Sequence, residues 1–259
     1  MNTSLHVISG AFVGFVVGLT GIGGGALMTP ILLLSGFPAP VVVGTDLVYA
    51  AITKAGGTAM HQSRGTIEWR IVLRLAAGSI PAAFLTIWTM HTCSFASRIY
   101  GDILTGYLGI MLIFTSVLLL FSYKVAQPSG HYAMTSKTPS HSALFTILMG
   151  ALLGALVTLS SIGAGAFGTA ILLLLYPHVA PARIVGTDLA HAAQLAFIAG
   201  FGHIMLDHVN YQLLTALLIG SLPATYFGVK MSRSLPDLIL RRLLAVLLLL
   251  LGIRYTVLR

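Results

Sequence analysis

An all-α integral membrane protein made of two related halves is predicted by three observations: scarce charge, recurrent spanning-length apolar runs, and a duplicated pattern of Gly, Pro and Asp. Charged residues make up 8% of the 259 residues and hydrophobic ones 57%. An ordinary soluble domain carries about 25% charge, so this chain lacks the means to wet the surface of a soluble fold. Its apolar runs reach the roughly 20 residues that one bilayer crossing needs.

The duplication spans nearly the whole chain. Gly10, Ala11, Gly14, Gly23, Gly25, Ala26 and Thr29 recur 140 residues later as Gly150, Ala151, Gly154, Gly163, Gly165, Ala166 and Thr169. After two extra loop residues the offset becomes 142. Gly44-Thr45-Asp46-Leu47 then returns as Gly186-Thr187-Asp188-Leu189, His61 as His203, and Gly78-Ser79-Ile80-Pro81 as Gly220-Ser221-Leu222-Pro223. Apolar bias does not produce matched Gly, Pro and Asp, and an internal repeat of this kind sets the architecture. The predicted units are a first repeat over 1–123, a polar linker over 124–141 on the cytoplasmic side, and a second repeat over 142–259.

Each repeat offers four apolar segments: 5–34, 41–61, 70–90 and 99–123, then 142–176, 183–203, 211–230 and 242–258. The first of each is long and broken by small residues, Gly21-Ile22-Gly23-Gly24-Gly25 and Ser160-Ser161-Ile162-Gly163-Ala164-Gly165. Glycine costs about 1 kcal/mol in a helix and permits a reversal. Each segment is therefore either one broken crossing or a hairpin that enters the membrane and returns. The distribution of Lys and Arg discriminates, because cytoplasmic loops carry the excess. Crossing segments divide the cations 7 to 6, with Lys54 in the membrane, whereas re-entrant segments divide them 10 to 3. The hairpin arrangement leaves three full crossings per half, so the halves are inverted repeats. Both termini then face away from the cytoplasm, and the chain belongs in a cytoplasmic membrane.

Inverted repeats with interrupted helices bind substrate near the midplane, at the repeat interface. Free N–H groups at the helix starts after the two tips favour an anion. The candidate binding residues are Gly23, Gly24, Gly25, Ser160, Ser161, Gly163 and Gly165. The same glycines could instead serve close helix packing. Intramembrane Lys54, whose counterpart is Ala196, would balance an anion or hold a static ion pair. Thr45, Asp46, Thr187 and Asp188 read either as helix caps or as groups that couple transport to a proton or cation. His61 and His203 read as interfacial imidazoles, and too few ligands gather for a metal site. Cys93, the single cysteine, excludes an intrachain disulfide. The basic residues sit in short loops, as topology signals do, so nucleic acid is not an expected partner. No cofactor is expected, and neither a nucleotide-binding loop nor a hydrolase motif occurs; the reading is of a non-enzyme. The sequence leaves a homodimer open.

Gly18 to Pro30 (GLTGIGGGALMTP), Gly44-Thr45-Asp46-Leu47 and its second copy carry a resemblance. On these residues the chain resembles the sulfite exporter TauE/SafE family of bacterial membrane transporters. The resemblance implies a secondary transporter of a small sulfur-containing anion, sulfite or an organosulfonate. An anion channel, or a permease for a non-sulfur organic anion, is the alternative. The second half departs from the pattern: Ser161, Ala164 and Ala170 replace Gly21, Gly24 and Pro30.

Overall fold

The computed structural model describes residues 3–20, 25–93, 97–125, 140–162, 165–231 and 237–257, all of them helix or short turn. Gly23, Gly24 and Gly163 lie outside the described residues, as does most of the linker. The helices are α1 (Thr3–Thr20), α2 (Gly25–Leu34), α3 (Ala39–Ser63), α4 (Trp69–Cys93), α5 (Ser97–Val125), α6 (Ser140–Ser160), α7 (Ala166–Leu175), α8 (Pro181–Met205), α9 (Tyr211–Met231) and α10 (Asp237–Val257). Each long first segment is thus two helices, α1–α2 and α6–α7, broken where the small residues cluster.

Among the described residues, Trp69–Thr92, Ala143–Ser160 and Pro181–Met205 are long and apolar enough to cross a membrane, and shorter apolar helices accompany them. Large apolar side chains point outward, among them Leu73, Trp88, Phe197 and Tyr226. In water such a surface would be a liability; against lipid it is the expected exterior. Pro81 and Pro223 sit inside α4 and α9, a position that membrane helices tolerate.

The two halves interlock, each first helix packing on a helix of the other half. A Cβ on Gly10 would meet Leu217 and one on Gly14 would meet Ser221, so α1 runs parallel to α9 with backbones in contact. The second copies do the same: Gly150 abuts Leu75, and Gly154 abuts Ser79, joining α6 to α4. These Gly-x-x-x-Gly spacings serve close approach, as small residues do between membrane helices. Counterpart helices meet along the middle in the opposite sense. In α3 and α8, Gly200 faces Val48 while Gly57 faces Leu189; in α5 and α10, Gly109 faces Thr256 while Ser116 Oγ donates to the Ala245 carbonyl. Both pairs therefore run antiparallel.

The same reciprocity governs the polar contacts. Thr45 Oγ1 accepts the Asn210 backbone N–H at 3.1 Å, and Thr187 Oγ1 accepts that of Glu68 at 2.9 Å. Each threonine lies inside its own helix and satisfies a donor at the start of α9 or α4 in the other half. The helix starts proper, at Pro38 and Ala180, have no side-chain cap.

Candidate functional site

Asp46 and Asp188 are fully or almost fully buried within α3 and α8. A buried carboxylate needs hydrogen bonds or a counter-charge, and the short helices supply the first. Thr29 Oγ1 of α2 donates to Asp46 Oδ2, and Thr169 Oγ1 of α7 donates to Asp188 Oδ2 at 2.8 Å. The repeat thus ties each short helix to the following long one through the same Thr–Asp pair.

Lys54 supplies the counter-charge. Two turns beyond Asp46 on α3, it is 3% exposed and interacts electrostatically with both carboxylates. Because α3 and α8 are antiparallel, a single lysine reaches the carboxylates of both halves. Sequence spacing alone shows only its distance from Asp46.

Hydroxyls complete the surroundings. Ser161 follows the last residue of α6 in a left-handed conformation, φ 57°, unusual for a residue with a Cβ. It brings its buried hydroxyl beside Asp46. Asp46 Oδ1, Asp188 Oδ1, Ser161 Oγ and Ser221 Oγ are all buried with no hydrogen-bond partner among the described residues. Asp188 Oδ1 stands over the α-carbon of Gly168, where a Cβ would lie 2.0 Å from it. Repeat counterparts Tyr49 and His191 both face a serine of the other half. The Tyr49 hydroxyl lies beside Ser221, and His191 Nε2 pairs with Ser79 Oγ at 2.8 Å.

The expected residues therefore divide. Lys54, Asp46, Asp188 and Ser161 converge on one buried polar centre between the halves. Ser160 is engaged in its own turn, donating to the Leu156 carbonyl at 2.7 Å and accepting from the Ile162 N–H at 3.2 Å. Gly25 opens α2. Gly165 precedes α7 at φ 142°, a conformation open to glycine and strained for other residues. Thr45 and Thr187 join the halves as described above. Thr29, Thr169, Tyr49, Ser79, Ser221 and Gly168 take part without having been singled out; for Thr29 and Thr169 the duplication was the available signal. His203, fully buried, pairs through Nε2 with the Thr158 carbonyl at 2.9 Å, whereas His61 is half-buried and pairs with Thr66 Oγ1 at 2.8 Å. No cluster of three metal-ligating side chains occurs among the described residues.

The centre offers a buried cation, two carboxylates and, among the described residues, unengaged hydroxyls inside a helical bundle. Such intramembrane ionisable groups mark substrate or ion pathways. A probable membrane transporter protein of Bacillus subtilis, YjnA, is 35% identical over 98% of this chain and 99% of its own length. A second from the same organism, YdhB, is 25% identical over 88% of this chain and 89% of its own. A probable membrane transporter protein of Xylella fastidiosa is 25% identical over 85% of this chain and 81% of its own. No solved structure matches significantly. The family described as Sulfite exporter TauE/SafE matches residues 6–255, and with that match across nearly its whole length the chain belongs to this family of membrane transporters.

Proposed function

We propose that the protein is a secondary carrier of a small sulfur-containing anion, sulfite or an organosulfonate, in the cytoplasmic membrane. Its halves would be inverted about the membrane plane, each opened by a re-entrant hairpin. The observation that carries the anion reading is Lys54, a buried ammonium at the junction of the halves. The short helices α2 and α7 are tied near their starts to the same centre through Thr29 and Thr169. Helix starts carry partial positive charge, which adds to the Lys54 ammonium against the two buried carboxylates of the centre.

The hairpin arrangement is supported by Arg183 and Glu68, whose side chains pair at 2.8 Å. If α1–α2 and α6–α7 each crossed the membrane as one broken helix, these two residues would belong to opposite faces. Re-entrant hairpins put them on the same face, the one rich in cations. The antiparallel counterpart pairs α3/α8 and α5/α10 are likewise what inverted halves require. That topology places both chain termini on the non-cytoplasmic side. The carrier would work by movement of one half against the other around the shared centre, as inverted-repeat transporters do.

The test is a binding screen by thermal stability on purified protein, with sulfite, sulfate, thiosulfate, taurine, sulfoacetate and a carboxylate control. A ligand that binds only the folded state raises its apparent stability. A selective shift with one sulfur anion, lost in Lys54→Ala, is the expected result. A shift with the carboxylate alone would remove the sulfur assignment and favour a different organic anion.

A further inference from the structure

The halves meet at two repeat-related junctions. The turn between α3 and α4 rests on the first turns of α8, and the turn between α8 and α9 rests on the first turns of α3. Their main-chain contacts match at an offset of 142 residues. Thr187 Oγ1 accepts the Glu68 N–H at 2.9 Å, and Thr45 Oγ1 accepts that of Asn210 at 3.1 Å. A Cβ on Gly186 would lie 3.1 Å from the Thr66 carbonyl oxygen, and one on Gly44 would lie 2.4 Å from that of His208.

Side chains break the match. At the first junction Arg183 Nη2 donates to Glu68 Oε1 at 2.8 Å, an ion pair between the halves. Thr187 Oγ1 also donates to the Arg183 carbonyl at 2.7 Å, so one threonine holds the main chains of both partners. At the second junction the equivalent positions are Val41 and Asn210, which carry no charge. Asn210 turns its Oδ1 to the Leu213 N–H at 3.0 Å and caps α9 instead of crossing. His203 and His208 meet there, Nδ1 to Nδ1 at 3.3 Å, but both belong to the second half.

We infer that the Arg183–Glu68 pair is a latch: it holds the first junction shut, while the second, its unlatched counterpart, parts more readily. The latch rests on the carrier reading, in which one half moves against the other. Matched contacts weigh similarly on the opening of either junction, and only a contact that differs between two states shifts their populations. The ion pair is such a contact: opening the first junction breaks it, and opening the second leaves it whole. Its side chains are 35% and 33% exposed, so water screens them in part and the bias is a few-fold. Under the hairpin topology the latched junction lies on the cation-rich face.

Thiol labelling of the ligand-free protein in detergent, in a Cys93→Ser background, measures both openings. Ala190 is 1% exposed and clusters with Ile67 of the first turn and Val72 of α4, so Ala190→Cys reports the first junction. Val48 is its repeat counterpart, and Val48→Cys reports the second. Glu68→Gln removes the charge and keeps the backbone bond to Thr187. The expected result is labelling at position 190 faster by about three- to fivefold, with no rise at position 48. Arg183→Gln gives the same increase, and the double variant Glu68→Gln/Arg183→Gln no more than either single one, because the two residues act as one pair. An unchanged rate at position 190, a rise at both positions, or effects that multiply in the double variant overturns the latch. Labelling needs no substrate. An anion screen that finds nothing leaves these rates readable, and a confirmed anion with unchanged rates removes the latch alone.

Discussion

Gly78→Ala adds one methyl group, yet the structure predicts a large loss of stability. The new Cβ would lie 1.9 Å from the Ile147 carbonyl oxygen and 2.7 Å from the Ala151 nitrogen, both backbone atoms of α6. A carbon–oxygen contact normally sits no closer than about 3.3 Å, so α4 and α6 must separate locally by about 1.4 Å. A gap of 0.5–1 Å already forfeits about a quarter to a half of a dispersion contact, and no side-chain rotation relieves a clash with backbone. Overpacking of this kind costs about 1–3 kcal/mol, and a backbone clash belongs at the upper end. For a domain of this size that is a fall in melting temperature of roughly 4–12 °C. Gly220→Ala should cost the same, since its Cβ would lie 2.0 Å from the Val7 carbonyl in the reciprocal α1–α9 contact. Gly56→Ala is the control: its Cβ meets nothing within 4 Å, and helix propensity favours alanine by about 0.5–1 kcal/mol. Thermal unfolding of the three purified variants in one detergent, with a tryptophan or thiol reporter, measures the difference. A Gly78→Ala melting temperature equal to the wild type, or Gly78→Ala and Gly220→Ala differing widely, would refute the reciprocal close packing.

Thr29→Val and Thr169→Val remove one donor each from a buried carboxylate, and should destabilise by about 1–3 kcal/mol, read from the same melting curves. Lys54→Ala should abolish transport in proteoliposomes while inserting normally; transport at the wild-type rate would remove Lys54 from the site. With Cys93 replaced by serine, single cysteines at Ser63 and Pro177 should label from the same side of the membrane, and one at Gly36 from the other. Labelling of positions 63 and 177 from opposite sides would exclude the hairpins. His208 lies in the turn between α8 and α9, where burial pushes its imidazole below the usual range and Asp207 pushes back. The unfolded chain therefore binds a proton more readily, so His208 contributes stability above about pH 6.5 that is lost as the pH falls. His208→Gln should flatten the acid limb of a melting-temperature profile, and an unchanged limb would show that His208 does not cause it.

Much of the architecture was legible because it rests on local chemistry. Apolar runs of spanning length must become helices in lipid, and the runs of small residues mark where α1–α2 and α6–α7 break. Matched Thr29/Thr169 and Asp46/Asp188 showed in the sequence that the halves repeat, but that each threonine serves the aspartate of its own half is visible only in the structure. Periodicity could not say which helix lies beside which. Gly10, Gly14, Gly78, Gly150, Gly154 and Gly220 were visible as matches, yet their use in pairing α1 with α9 and α4 with α6 depends on the exchange of partners between halves. Capping was a reasonable expectation for Thr45 and Thr187, but the donors they satisfy belong to Asn210 and Glu68, well over a hundred residues away.

The sequence by itself determined the solvent of this protein, its helical class, its duplication and its family, because composition, period and motif are properties of the chain read in order. Tertiary structure decided the charge centre. Lys54 is eight residues from Asp46 and 134 from Asp188 in the chain, and only the antiparallel packing of α3 on α8 gives it both. Electrostatic energy falls with distance through space and is deepest where water is excluded. No reading along the chain supplies either quantity.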